Sequence, residues 1–244
     1  MSQYILIIGA NSDIAQALAK IYAKEGYNLY LASRDEQSLQ SLASDLSVRY
    51  TITVLVKKFD LLQWHTHTDF FNSLEPKPEG VVLAGGYLGT QNKAEKDFSE
   101  TKKIIDTNFT GPVSILNIIS DYYEQKKSGF IIGISSVAGD RGRKSNYIYG
   151  AAKAGFSTYL SGLRNRLSKA NVHVLTVKPG FVDTKMTKHI DLPKKLTAQP
   201  KDVAMDIYKA QLKKKNVLYT KPIWQFIMFV IKLIPEWQFK KMSI

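Results

Sequence analysis

Seven short apolar runs set the limits on what this 244-residue chain can become. They lie at Tyr4–Ile8, 28–32, 51–56, 80–84, Phe130–Ile134, 172–177 and 217–219. Each is three to six residues, mostly Val, Ile, Leu and Tyr, and the first is continuously apolar, as expected of a strand covered on both faces. Longer stretches of helical periodicity separate them. The first carries Ile14, Ala17, Leu18 and Ile21 on one stripe, and another carries Ile104, Ile105, Asn108, Val113, Leu116 and Ile119 up to and past Gly111-Pro112. Strand, helix, strand repeated along one chain predicts an α/β domain, with a doubly wound, mostly parallel seven-stranded sheet and helices on both faces. The chain is long enough to bury one full core, and residues 1–220 are expected to form it, followed by a tail at 221–244.

The fifth run ends in Ser135-Ser136-Val137-Ala138-Gly139, which places hydroxyls at the carboxyl end of a strand. Thirteen residues after Ser136 comes Tyr149, and four after that Lys153, in a helical segment continuing through Phe156, Leu160 and Leu163. The i,i+4 spacing puts phenol and amine on one helix face. A lysine near a phenol favours the phenolate, so the tyrosine pKa is expected to fall toward neutrality, as suits a proton donor or acceptor. The spacing alone is weak evidence, since Tyr122/Lys126 and Tyr123/Lys127 share it; those pairs are read as a solvated helix end whose lysines complement the dipole. Tyr149 differs in having the strand-end serine before it and a small-residue segment, Gly150-Ala151-Ala152, beside it.

With Ser136, the Tyr149-Gly-Ala-Ala-Lys153 segment, Asn108 and Pro179-Gly180 followed by Thr184, residues 3–210 resemble the short-chain dehydrogenases/reductases. The resemblance implies a Rossmann-type fold and a catalytic tetrad of Asn108, Ser136, Tyr149 and Lys153, with Asn108 holding a water. It also implies that a nicotinamide dinucleotide binds at Gly9, Asn11, Ser12, Asp13 and Ile14, where strand, tight turn and helix amino terminus form a phosphate cradle. The family pattern TGxxxGxG keeps its first glycine as Gly9, while Asp13 and Ala15 replace the others. A carboxylate beside a pyrophosphate is unfavourable unless it turns away and caps the helix. Ser33 and Arg34 follow the second strand, where an arginine pairs with a 2′-phosphate, so NADP(H) is expected over NAD(H). Asp35 is expected to start the next helix. Asp60 and Leu61 match the adenine pocket; Ala84 and Gly85 match the close backbone approach after the fourth strand, although Val82-Leu83 replaces the family's asparagines. Pro179, Gly180, Val182 and Thr184 match the turn over the nicotinamide, and residues 185–200 the substrate lid. The charged loop Asp140, Arg141, Arg143, Lys144 reads equally well as a meeting point for an anionic substrate and as solvated surface.

The net charge is +13, and ten lysines from Lys195 onward face only Asp202, Asp206 and Glu236. No nucleic-acid motif accompanies this excess, so an anionic surface or mere solubility explains it. With no cysteine, disulfides and thiolate zinc sites are excluded, and no metal is expected. The amino terminus has no basic region and too short an apolar run for a signal peptide, so a cytoplasmic protein is expected.

Between Lys221 and Trp237 the chain is apolar almost all round. Ten residues separate Lys221 from Lys232, far short of the roughly 20 needed to span a bilayer. Two readings stand: a helix lying in the membrane interface on the inner face, or one buried against a second subunit or the substrate pocket. Homo-oligomers are common in the family, and the number of copies is left open. This tail, together with Val137–Arg143 and Ser145-Asn146-Tyr147, is similar to bacterial reductases of polyprenyl-phosphate keto-sugars such as decaprenyl-phosphoryl keto-pentose reductase. The expected activity is interconversion of a ketone and a secondary alcohol, on a small-molecule or lipid-linked carbonyl compound. The alternatives are a soluble carbonyl or 3-oxoacyl-type reductase and a silent dinucleotide-binding scaffold.

Overall fold

The computed structural model describes residues 3–188 and 191–242. Seven strands form one sheet: β1 (Tyr4–Ile8), β2 (Asn28–Ser33), β3 (Val54–Lys58), β4 (Gly80–Leu83), β5 (Phe130–Ile134), β6 (His173–Pro179) and β7 (Val217–Thr220). The order is β3-β2-β1-β4-β5-β6-β7 and every adjacent pair is parallel. The order reverses between β1 and β4, which opens a crevice at the carboxyl ends of these strands.

The principal helices are α1 (Asp13–Lys24), α2 (Gln37–Tyr50), α3 (His67–Asn72), α4 (Gln91–Ala94), α5 (Phe98–Ile105), α6 (Gly111–Lys126), α7 (Tyr147–Leu167), α8 (Pro200–Leu212), α9 (Ile223–Leu233) and α10 (Glu236–Phe239). Two cores result. Side chains of β1, β2 and β4–β6 that point to one face pack under α1, α2 and α8; those pointing to the other pack under α3, α6 and α7. Burial on both faces is why the central strands read as unbroken apolar runs, each large side chain contributing about 1.5–3 kcal/mol.

Two local readings change, and a third is met. The third strand starts at Val54, because Thr51 adopts a left-handed backbone (φ 54°) after α2 and Asn28 Oδ1 accepts from the Thr53 amide, 2.8 Å. Tyr123 is fully buried and donates to the Pro78 carbonyl, 3.0 Å, while Lys126 ion-pairs with Glu79. That helix end therefore packs on the sheet and is not simply solvated. Between α5 and α6, Asp106–Thr110 forms a π-helical turn, the interruption expected around Asn108.

Candidate active site

One cleft of 470 Å³ runs along the carboxyl ends of the strands. Gly9, Asn11, Ser12, Asp13, Ile14, Ser33, Arg34, Asp60, Leu61, Ala84, Gly85, Pro179, Gly180, Val182 and Thr184 all line it, together with Ser136, Tyr149 and Lys153. Asn108 lies just behind the wall.

At the β1–α1 turn, Gly9 has φ +78° and a Cβ there would sit 2.4 Å from the Gly85 amide nitrogen, so only glycine lets the two loops meet. Asn11 spans from Ser33 Oγ (2.6 Å) to the Asp35 carbonyl (3.1 Å) and accepts from Ser38 Oγ (2.8 Å), bracing the β2 end. Asp35 Oδ1 accepts from the Ser38 amide, 3.3 Å, as a residue leading into α2 should. Arg34 is exposed at the rim. Leu61 is buried, its Cδ1 filling the space beside Gly85. His67 was not singled out from the sequence. It is fully buried, stacked on Phe59, with Nε2 3.1 Å from the Asp60 carbonyl and Nδ1 2.9 Å from Ser114 Oγ.

Asp13 lines the cleft and does not cap α1. Ser12 holds the cap position without a side-chain bond, and Asp13 Oδ2 accepts from the Lys185 amide at 2.7 Å. The carboxylate thus ties the cofactor turn to the segment after Thr184. Thr187, also missed, ties the same segment internally: Oγ1 donates to the Val182 carbonyl (2.6 Å) and lies 3.2 Å from Thr184 Oγ1. The repeated threonine of Thr184-Lys-Met-Thr187 was its only signal. Part of the expected lid, residues 189–190, falls outside the described residues.

The chemistry-bearing side chains come from β5 and α7. After Ser136 the chain makes a tight turn over Val137–Gly139. A Cβ on Gly139 would meet the α7 backbone at Lys153 and Ala154 (2.7 Å each), and one on Gly150 would meet the Ala138 carbonyl at 2.8 Å. These two glycines let the serine turn and α7 touch, and that contact fixes Ser136 relative to Tyr149. Ser136 Oγ accepts from the Ala138 amide (3.1 Å), which leaves its own proton available. Lys153 is 3% exposed, its Nζ donates to the Ile134 carbonyl (3.0 Å) and lies 5.8 Å from the Tyr149 ring centroid.

The pKa of Tyr149 moves opposite to expectation. Burial pushes it up to about 12, with the Ser136 hydroxyl pulling the other way, and burial brings Lys153 down to about 8. Desolvation outweighs the Ser136 hydrogen bond here. Asn108 is wholly buried: Nδ2 donates to the carbonyls of Tyr87 (2.6 Å) and Ile104 (2.8 Å), and Oδ1 accepts from the Tyr87 amide (3.2 Å). A Cβ on Gly86 would lie 3.1 Å from Asn108 Oδ1 and 3.6 Å from Lys153 Nζ, so the two side chains converge on that glycine.

The carboxyl-terminal helix joins the site. Trp224, 4% exposed, occupies the place where a Gly180 side chain would be (Nε1 1.9 Å from its virtual Cβ), donates to the Leu196 carbonyl (3.1 Å) and meets Phe181 edge-on. Met228 is fully buried beside Val137.

A nucleotide-sized cleft with a glycine cradle, at whose side a serine, a tyrosine and a lysine meet, defines an oxidoreductase of the Rossmann type. The chain belongs to the short-chain dehydrogenase family, whose model matches residues 3–195. It is 32% identical over 241 residues to an uncharacterized oxidoreductase of Mycobacterium tuberculosis, covering 98% of this chain and 96% of that one. Among solved structures, it superposes on a short-chain dehydrogenase from Sphingobium yanoikuyae in complex with NADPH (TM-score 0.83, 20% identity, 96% and 97% of the two chains). It also superposes on the bulky-bulky ketone specific alcohol dehydrogenase from Comamonas testosteroni (TM-score 0.80, 21% identity, 96% and 95%). The protein is an NAD(P)-dependent oxidoreductase of this family. The relationship to keto-pentose reductases has no counterpart among these similarities and stands as a proposal below.

Proposed function

We propose that this oxidoreductase interconverts a ketone and a secondary alcohol with NADP(H), and that it works on a lipid-linked carbonyl compound at the inner face of a membrane. The reading is carried by one observation: Ser136, Tyr149 and Lys153 share a single cleft with the glycine cradle at Gly9 and with Arg34. The residues present fit a dinucleotide, because Gly9 leaves the backbone uncovered, Asp13 is turned onto Lys185, and α1 opens at the cleft. When bound, the cofactor supplies the hydride. Arg34 at the rim would hold a 2′-phosphate, which is the basis for NADP(H) over NAD(H).

In the reductive direction Tyr149, kept protonated by burial, gives its proton to the carbonyl oxygen. Ser136, whose oxygen already accepts from Ala138, donates to the same oxygen and orients it. The positive charge of Lys153 favours the phenolate left behind. Asn108 spends both amide hydrogens on Tyr87 and Ile104. Any water relay it serves runs from the π-helical backbone, and its amide holds the shape of that turn.

The membrane component rests on α9 and α10. Phe226, Phe229, Leu233 and Trp237 are 58–65% exposed on the side away from Trp224 and Met228, with Lys221, Lys232, Lys240 and Lys241 around them. Such a face suits an anionic bilayer surface, with apolar groups in the acyl boundary and lysines at the headgroups. Among the described residues no helix is long and apolar enough to cross a membrane. Two experiments test the proposal: NADPH consumption over a panel of soluble and polyprenyl-phosphate-linked ketones, and flotation with anionic and neutral vesicles. Flotation with neither vesicle, joined to a dimer that dissociates on truncation after Thr220, would make the face a subunit contact. The lipid-linked substrate would then give way to a soluble carbonyl or 3-oxoacyl compound.

A further inference from the structure

The loop between Ser136 and Tyr149 carries four charges, and the structure accounts for three of them. Asp140 accepts from Lys178 (2.5 Å) and from the Tyr219 hydroxyl (2.7 Å). Arg141 is spent on the end of α9: it donates to the carbonyls of Ile231 (2.5 Å) and Ile234 (2.6 Å), pairs with Glu236 (2.9 Å) and stacks 3.7 Å from the Phe239 ring centroid. Lys144 is exposed to solvent.

Arg143 is the exception. It lines the cleft, and the contact made by its Nη2 is to the Met228 sulfur, 3.1 Å, a weak acceptor. Its Nε is shut off from solvent without any hydrogen-bond partner, and no carboxylate among the described residues pairs with it. Burial alone holds its pKa below the usual arginine value, with Asp140 opposing from a distance. Three residues on, Asn146 donates its backbone amide to the Arg143 carbonyl (3.1 Å). It sits at the cap position of α7 without capping, and its Oδ1 is also buried with no donor. It lines the same cleft.

An arginine Nε with no acceptor and, three residues on, an asparagine Oδ1 with no donor, both shut off from solvent in the wall of one cleft, are costly unless a ligand completes both. The idle donor calls for an oxyanion, and the idle acceptor calls for a hydroxyl. The cofactor's phosphates are assigned to the cradle at α1 and to Arg34 at the end of β2. Arg143 and Asn146 instead flank the serine turn and the start of α7. We propose that Arg143 and Asn146 form a subsite for a hydroxylated anionic group of the carbonyl substrate, the guanidinium taking a phosphate or carboxylate oxygen and Asn146 Oδ1 taking a neighbouring hydroxyl proton. The substrate class is a phosphorylated or carboxylated hydroxy-ketone, or its alcohol. Met228 of α9 backs the arginine, so the carboxyl-terminal helix forms a wall of substrate recognition as well as an exposed face. This deepens the ketone-reductase reading and rests on it.

The test uses the full chain saturated with NADPH, so that cofactor phosphate sites are filled, at constant ionic strength. Inorganic phosphate, glycerol phosphate, acetate and glycolate are titrated against NADPH fluorescence. Expected are saturable binding by wild type, a loss of at least tenfold for the better-bound anion in Arg143→Leu, and an intermediate loss in Arg143→Lys. Asn146→Asp, which puts a negative charge in the same subsite, should abolish anion binding without requiring removal of the arginine. It should also raise the thermal midpoint. The better-bound member of the phosphate and acetate arms identifies the anion, and the hydroxylated member of each pair should bind more tightly. Anion binding equal in wild type, Arg143→Leu and Asn146→Asp, or absent from all, overturns the subsite. NADPH consumption with neutral ketones separates the two ideas. Turnover without Arg143-dependent anion binding defeats the subsite alone, whereas Arg143-dependent binding with no ketone turned over defeats the ketone-reductase reading and leaves an anion site.

Discussion

Trp224→Ala is the perturbation that best separates the two faces of α9. The indole is 4% exposed, fills the space over Gly180, and donates to the Leu196 carbonyl. No neighbouring side chain can collapse into the void from Gly180, which has none. Truncating a buried tryptophan to alanine costs about 3–5 kcal/mol, including the cavity. For a chain of this length a kcal/mol moves the midpoint by roughly 2–4 °C, so a fall of roughly 6–20 °C follows. Because Gly180 and Val182 line the cofactor cleft, NADPH affinity should fall with stability. Phe226→Ser, two residues along the same helix but 64% exposed, should change stability by no more than about 0.5 kcal/mol. Urea unfolding followed by far-UV dichroism, with NADPH fluorescence titration in parallel, measures both. Equal and small effects of the two substitutions would show that α9 does not pack on the body of the protein, and the wall it forms beside the site would go with it.

Arg34→Ala should weaken NADPH about 10–100-fold by fluorescence titration and NADH by much less, since a charge-assisted bond contributes about 1.5–3 kcal/mol; equal losses would remove the 2′-phosphate assignment. Lys153 has a folded pKa of about 8 against 10.5, so between those values the unfolded chain binds more protons and stability rises with pH. Relative to Lys153→Met, wild type should therefore gain up to roughly 3 kcal/mol in urea unfolding between pH 8 and 10.5; a flat difference would show that the amine is not desolvated. The same titration should lower kcat/KM for reduction above about pH 8, as the charge that favours the phenolate is lost. Asp13→Ala removes the bond to the Lys185 amide and should speed proteolysis after Lys185 without altering the melting curve by more than about 1 kcal/mol.

The sheet was legible because a strand buried on both faces has an unbroken apolar run, and β1 and β5 begin and end where the residues said. The candidate site was legible in outline because Ser136, Tyr149 and Lys153 fall within eighteen residues and line one cleft. What stayed hidden depended on distance along the chain. Asp13 finds its partner at Lys185, 172 residues on, so no local pattern reveals where the carboxylate turns. The segment around α9 is apolar on every side, so its periodicity does not say which face is covered; Gly180, lacking a side chain, makes the seat for Trp224. The direction of the Tyr149 shift was misjudged because spacing reports the nearby lysine but not the burial that raises the phenol's pKa. Arg143 and Arg141 look alike in sequence, and only the carbonyls at the end of α9 distinguish the occupied arginine from the idle one.

The central claim is that Tyr149 delivers the proton in a reaction whose hydride comes from NADPH. Single-turnover oxidation of bound NADPH by a ketone, followed at 340 nm in wild type and Tyr149→Phe, tests it most directly. The substitution removes one hydroxyl from a half-enclosed ring, so NADPH should still bind within a few-fold of wild type, while the rate constant falls about 10²–10⁴-fold. A Tyr149→Phe protein that oxidises NADPH at a near-normal rate with the same ketone would contradict the account.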